Sequence, residues 1–132
     1  MMTTSILLKI LASIKEEHSR LATSKNKFDK IVHAIDYIKA NISNPTLSVE
    51  SISAQLGISG THLRNMFLKE CGMTPIKYIK TFRINEACKV LVTNPYTVNE
   101  VAQMCGFYNT SYFCKEFKKV MGTTPYTYKK NI

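Results

Sequence analysis

Two short stretches of this 132-residue sequence carry side chains whose types and spacing suit hydrogen bonding to an outside partner. One holds Thr61, Arg64 and Asn65, and the other Thr110, Ser111, Cys114 and Lys115. Residues three and four apart share a helix face, so each set forms one polar patch if its segment is helical. The chemistry fits the edges of bases: Arg and Lys donate to guanine, Asn pairs with adenine, and Ser or Thr serves either. A polar surface helix would look the same taken singly. Two such patches in matching places, each after a glycine turn on a basic chain, argue for recognition.

Nothing comparable points to catalysis or metal binding. Cys71, Cys88, Cys105 and Cys114 stand 17, 17 and 9 residues apart without a C-x-x-C pair, which removes the zinc-knuckle and thioredoxin-type readings. His18, His33 and His62 are scattered and lack ligand spacing. Neither a phosphate-cradling Gly loop nor a nucleophile elbow occurs. No catalytic residue, metal or cofactor is expected. His62 is expected to pack beside the patch, His33 to lie beside the apolar face of its helix, Cys105 to be core, Cys88 partly exposed and Cys71 at a helix end. Cys114 faces outward, with nothing nearby in sequence to activate its thiol.

Lys and Arg number 18 against 9 acids, a net charge of +9 that suits a polyanion, nucleic acid before a membrane surface. The charge comes in blocks. Residues 60–90 hold Arg64, Lys69, Lys77, Lys80, Arg83 and Lys89, and 110–132 hold Lys115, Lys118, Lys119, Lys129 and Lys130 against Glu116. Residues 43–59 and 91–109 have no basic residue. At 45% hydrophobic, the chain can build the core of one domain. The apolar run Ile6–Ile14 is too short to span a bilayer, contains Lys9 and follows no basic residue, so neither a membrane segment nor a secretory signal is expected. The expectation is a reduced, cytoplasmic, nucleoid-associated protein.

The two blocks have a common origin. Laying residues 47–80 on 96–130 aligns Val49, Ile52 and Gly57 with Val98, Val101 and Gly106 at an offset of 49. Leu63, Phe67, Gly72, Thr74, Pro75 and Tyr78 then align with Phe113, Phe117, Gly122, Thr124, Pro125 and Tyr128 at 50, so one residue is added between Gly106 and Phe113. Each copy reads as helix, tight glycine turn, helix. Ser48 and Thr97 are N-caps, Thr97 with Glu100 as a capping box, and the second helices start near Ser59 and Asn109. Ser53 and Ala102 are small enough for close helix approach. Leu63, Met66 and Phe67 point inward in one copy, and Phe113, Phe117 and Val120 in the other. The helix-turn-helix units span about 48–72 and 97–122, with a final helix over about 125–131.

Residues 75–93 place Ile76, Ile79, Phe82 or Arg83, Ala87, Val90 and Leu91 at helical spacing and end before Asn94-Pro95. Such a helix is roughly 27 Å long; with a helix-turn-helix body at each end, the two second helices could lie near one DNA turn apart, successive major grooves on one face recurring at roughly 34–36 Å. One chain could then enter two grooves, and its unequal patches would read an asymmetric site.

These residues resemble the DNA-binding domain of the AraC/XylS family of bacterial transcription regulators over about residues 28–130. The carriers are Gly106-Phe107, Ser111-Tyr112-Phe113, Phe117-Lys118-Lys119 and Gly122-Thr123-Thr124-Pro125, with the linker-helix stretch Thr81-Phe82-Arg83-Ile84-Asn85-Glu86-Ala87. The resemblance implies an all-α, seven-helix domain that binds double-stranded DNA and contacts RNA polymerase, most often to activate transcription. It places base reading on Thr61, Arg64, Asn65, Thr110, Ser111, Cys114 and Lys115. It places phosphate contacts on Ser59, Gly60, Lys69, Asn109, Lys118 and Lys119.

Residues 1–24 are expected to form an extra amphipathic helix ahead of the DNA-binding domain at 25–132. Leu7, Ile10, Ile14 and Leu21, widened by Ile6 and Leu11, make a stripe over residues 4–21 for docking on the core, for homodimerisation or, with less support because the polar side is mixed in sign, for contact with a membrane surface; Ser24–Lys27 reads as a linker, and Phe28, Ile31, Ile35, Ile38 and Ile42 mark the next helix. The large companion domain usual in the family has no counterpart here, which leaves a stand-alone regulator or a portion of a longer one. Two rival functions have weaker support. A DNA-repair methyl-acceptor module needs clustered thiolates, which the Cys spacing does not supply. A partner-binding anti-activator would have no use for Arg64, Asn65 and Lys115 on outward faces.

Overall fold

The computed structural model describes residues 18–93 and 95–130. Seven helices and no strands occur among them: α1 His18–Ala40, α2 Val49–Leu56, α3 Gly60–Cys71, α4 Pro75–Thr93, α5 Val98–Met104, α6 Thr110–Met121 and α7 Pro125–Lys130. The all-α architecture expected from the repeat is present. The stripe over residues 4–21 lies largely outside the described residues. Ser24–Lys27, expected to be a linker, is instead helical within α1, because none of its residues breaks a helix that Phe28–Ile38 anchors downstream.

Local chemistry sets the boundaries. Ser48 and Thr97 each complete a capping box, with Ser51 and Glu100 returning the bond. Gly57, Gly72 and Gly122 close α2, α3 and α6 in the left-handed region, at φ of 68°, 71° and 77°. Thr74 and Thr124 accept from the amides of Lys77 and Thr127, both at 3.2 Å, just ahead of buried Pro75 and Pro125.

The inserted residue lies in the turn of the second unit. Ile58 and Phe107 make the same backbone bond, to Ser53 O at 3.1 Å and to Ala102 O at 2.9 Å. The caps that follow are Ser59 and Asn109. Tyr108 is therefore the extra residue, and it projects into solvent at 73% exposure.

Each copy owns a core. Ile31, Ala34, Ile38, Val49, Ile52, Leu63, Met66, Phe67 and Ile79 fill the first. Ile84, Ala87, Leu91, Val98, Val101, Ala102, Cys105, Phe107, Phe113 and Phe117 fill the second. The repeat reaches further than the sequence alignment did. Ile84, Ala87 and Leu91 of α4 stand to the second core as Ile31, Ala34 and Ile38 of α1 stand to the first, with the same spacing. Phe67 meets Tyr78 edge-on at 5.6 Å, and Phe117 meets Tyr128 at 5.5 Å. α4 is thus the closing helix of one unit and the opening helix of the next, fused into one rod of roughly 28 Å.

Three inward assignments fail. Ile76 is 57% exposed because Pro75 takes the buried place in the first turn of α4, and fully buried Ile84 joins the stripe instead. Val120 is exposed, its place against the core taken by Met121. His62 is exposed because Leu63, Met66 and Phe67 already fill the inner face of α3.

Candidate nucleic-acid interface

The second helix of each pair, α3 and α6, is twelve residues long and starts at a side-chain cap. Ser59 Oγ accepts from the His62 amide at 3.1 Å, and Asn109 Oδ1 accepts from the Tyr112 amide at 2.7 Å. Remaining first-turn amides are what a helix start offers to an anion. The apolar residues of both helices are held by the two cores, which fixes what must face out.

On α3 the outward set is Thr61, Arg64, Asn65, Leu68 and Lys69, all exposed. Gly60 is half-buried, and a methyl group there would approach Val49 Cγ1 to 3.3 Å, so its smallness lets α3 cross α2 closely. Arg64 folds back along its helix, with Nη1 3.6 Å from the place a Cβ on Gly60 would take. It lines a cleft of about 260 Å³ between the two units, together with Glu50, Ile76, Lys80, Arg83 and Tyr112.

On α6 the exposed residues are Ser111, Tyr112, Lys115, Lys118, Lys119 and Val120. The two remaining predicted base readers sit deeper. Thr110 is half-buried and donates its hydroxyl to Asn99 Oδ1, which ties the start of α6 to α5. Cys114 is half-buried against the second core, and burial pushes its thiol up rather than toward the thiolate. Cys105, buried among apolar side chains, is pushed up to about 11. No group of three His, Cys, Asp or Glu among the described residues is placed to hold a metal ion.

Two residues matter that sequence reasoning did not single out. Glu116, the lone acid in the second basic block, has a side chain only 4% exposed. Lys80 of α4 bonds it at 2.7 Å and Lys119 at 3.3 Å. Chiefly the Lys80 hydrogen bond holds its carboxyl below the ordinary range, against the opposing effect of burial. This pair locks the outer helix of the second unit to the rod, and it also engages Lys119, one of the expected phosphate contacts. Arg83 is the other. Its Nε donates to Ile42 O at 3.0 Å and its Nη2 to Asn44 O at 2.7 Å. The signal for Arg83 was a cation at an apolar position of the linker-helix pattern.

Two capped, core-backed helices with polar and basic outer faces, carried on one rod, define a paired helix-turn-helix module. A family model described as a helix-turn-helix domain matches residues 52–131, more than half of the chain. The chain belongs to the AraC/XylS family, whose DNA-binding domain it carries. It is 28% identical over 136 residues to the HTH-type transcriptional activator RhaR of Pectobacterium atrosepticum, covering 99% of this chain and 46% of that one. Its fold matches the C-terminal domain of AraT, a response regulator from Geobacillus stearothermophilus, with a TM-score of 0.76 and 28% identity over 78% of this chain and 85% of that one. It also matches the fold of the DNA-binding domain of AdpA, solved with a target DNA, with a TM-score of 0.72 and 24% identity over 76% and 89% of the two chains. The chain spans less than half the length of the curated relatives it matches. No helix among the described residues is long and apolar enough to cross a membrane.

Proposed function

We propose that this chain is a sequence-specific, double-stranded DNA-binding transcription regulator that sets α3 and α6 into two successive major grooves of one asymmetric site. The observation that carries this reading is the duplication itself. Both units repeat the cap, the turn and the buried aromatic anchors, yet their outward residues differ. Arg64, Asn65 and Thr61 read one half-site, and Lys115 and Ser111 the other, with Thr110 and Cys114 at its inner margin. Ser59, Gly60 and Asn109 present amides to phosphates, and Lys69, Lys118 and Lys119 supply charge. Placed beside a promoter, such a module contacts RNA polymerase and activates transcription, a reading supported by the activator relative.

Selection from a random-sequence duplex library followed by a gel shift with random competitor tests the reading. The expected motif is bipartite and non-palindromic, with half-sites one helical turn apart. A chain that enriches no sequence over the competitor is not a sequence-specific regulator.

A further inference from the structure

We propose that Arg83 is the positioning residue that fixes the angle between the two reading helices, by clamping the loop after α1 to the turn between α5 and α6. The proposal rests on the two-groove reading above for its functional meaning, and on geometry for the clamp itself.

α4 joins the units end to end. Its Ile79 lies in the first core and its Ile84 in the second, so Arg83 stands at the crossing point. A helix alone resists stretching better than bending, and long helices curve readily. The crossing point therefore gains from a lateral brace. Arg83 supplies one. Its guanidinium, half-buried, reaches Ile42 O and Asn44 O, two carbonyls just past the end of α1 in the first unit. Both lie in the loop beyond Ala40, where no intrahelical bond occupies them; Asn44 O accepts the Leu47 amide as well, at 3.2 Å.

The second unit enters the same contact through Gly106. A methyl group on Gly106 would lie 2.3 Å from Ile42 O and 2.9 Å from Arg83 Nε, with φ at +87°. The turn preceding α6 thus rests on the carbonyl that Arg83 holds. First unit, rod and second unit meet at one point. The forked, permanently charged guanidinium spans both carbonyls through Nε and Nη2. The compact ammonium of Lys lacks the fixed fork that presents separate donors to the two carbonyls.

Once one helix has bound its half-site, the other arrives at an effective concentration set by how narrowly its orientation is held. Loosening the brace spreads that orientation without touching either reading face.

The test compares the wild-type chain with Arg83→Met, which keeps the stem and removes both donors. In the free protein, amide residual dipolar couplings from residues 28–74 and 96–130 should report one shared alignment in wild type. In Arg83→Met they should report two, while both units stay folded by amide chemical shift. On a duplex selected by the wild-type chain, inserting one base pair between half-sites should weaken wild type about 10-fold or more. The same insertion should weaken Arg83→Met less than about two-fold. Its affinity for each isolated half-site should be unchanged. Should Arg83→Met not fold, Arg83→Lys carries the same comparisons. One shared alignment in the variant, or an undiminished spacing penalty, overturns the clamp. A wild-type chain that selects no DNA overturns the two-groove reading instead, and the couplings in the free protein then decide the clamp alone.

Discussion

Replacing Glu116 by Gln removes one negative charge from a nearly inaccessible position without changing its shape. The carboxylate takes a charge-assisted bond from Lys80 at 2.7 Å, and such bonds contribute about 1.5–3 kcal/mol. The Lys119 partner, 63% exposed, adds only about 0–1 kcal/mol. Gln retains a neutral acceptor for Lys80, which itself keeps 31% exposure, so the net loss at neutral pH is about 1–2 kcal/mol. For a domain of this size that lowers Tm by about 4–8 °C. The sign with pH follows from the depressed carboxyl. A group whose folded value lies below its unfolded one stabilises above the unfolded value, about 4.3 for Glu. That stabilisation fades as pH falls through the folded value. Thermal unfolding followed by circular dichroism should show the full wild-type advantage at pH 7 and a progressively smaller one below about pH 4. An equal gap at pH 7 and pH 3 would refute the ion-pair explanation and leave packing as the cause.

Arg64→Ala should relax base preference in one half-site only, by about 1–3 kcal/mol for each lost base contact, as read by a mismatch series in gel shifts. Equal weakening on every sequence would contradict base reading. Lys118→Ala should weaken binding evenly across sequences and reduce the log–log salt slope by about one; an unchanged slope counts against a phosphate contact. Gly57→Ala and Gly106→Ala separate backbone strain from collision. Both glycines have positive φ, but a Cβ at Gly57 meets open space whereas one at Gly106 runs into Ile42 O. Denaturant titration should show about 1–2 kcal/mol lost at Gly57 and at least about 1 kcal/mol more at Gly106.

Much of this architecture was legible in the residues because its punctuation is local. Ser48, Thr97, Gly57 and Gly72 act within a few residues of themselves, so caps and turns could be read one segment at a time. The inner faces of α3 and α6 followed from Leu63, Phe67, Phe113 and Phe117, large apolar residues with no alternative to burial. What stayed hidden depends on contacts far apart in sequence. The kinship of Ile31, Ala34 and Ile38 with Ile84, Ala87 and Leu91 escaped the alignment because its offset differs from that of the rest of the repeat. Arg83 meets Ile42 and Asn44 across about forty positions, 41 and 39 residues away. Glu116 looked like one more surface charge until Lys80 was placed over it. Thr110 and Cys114 fall on the outward side by periodicity, yet Asn99 and the second core partly cover them, since the first helix of each pair overlaps the start of the second.

The most direct test of the two-groove proposal is a hydroxyl-radical and guanine-methylation footprint on a selected duplex. Protection of two major-groove segments on one face, about one turn apart, with unlike sequences and one chain bound, is the predicted result. A single protected groove, or a palindromic footprint needing two chains, would contradict it.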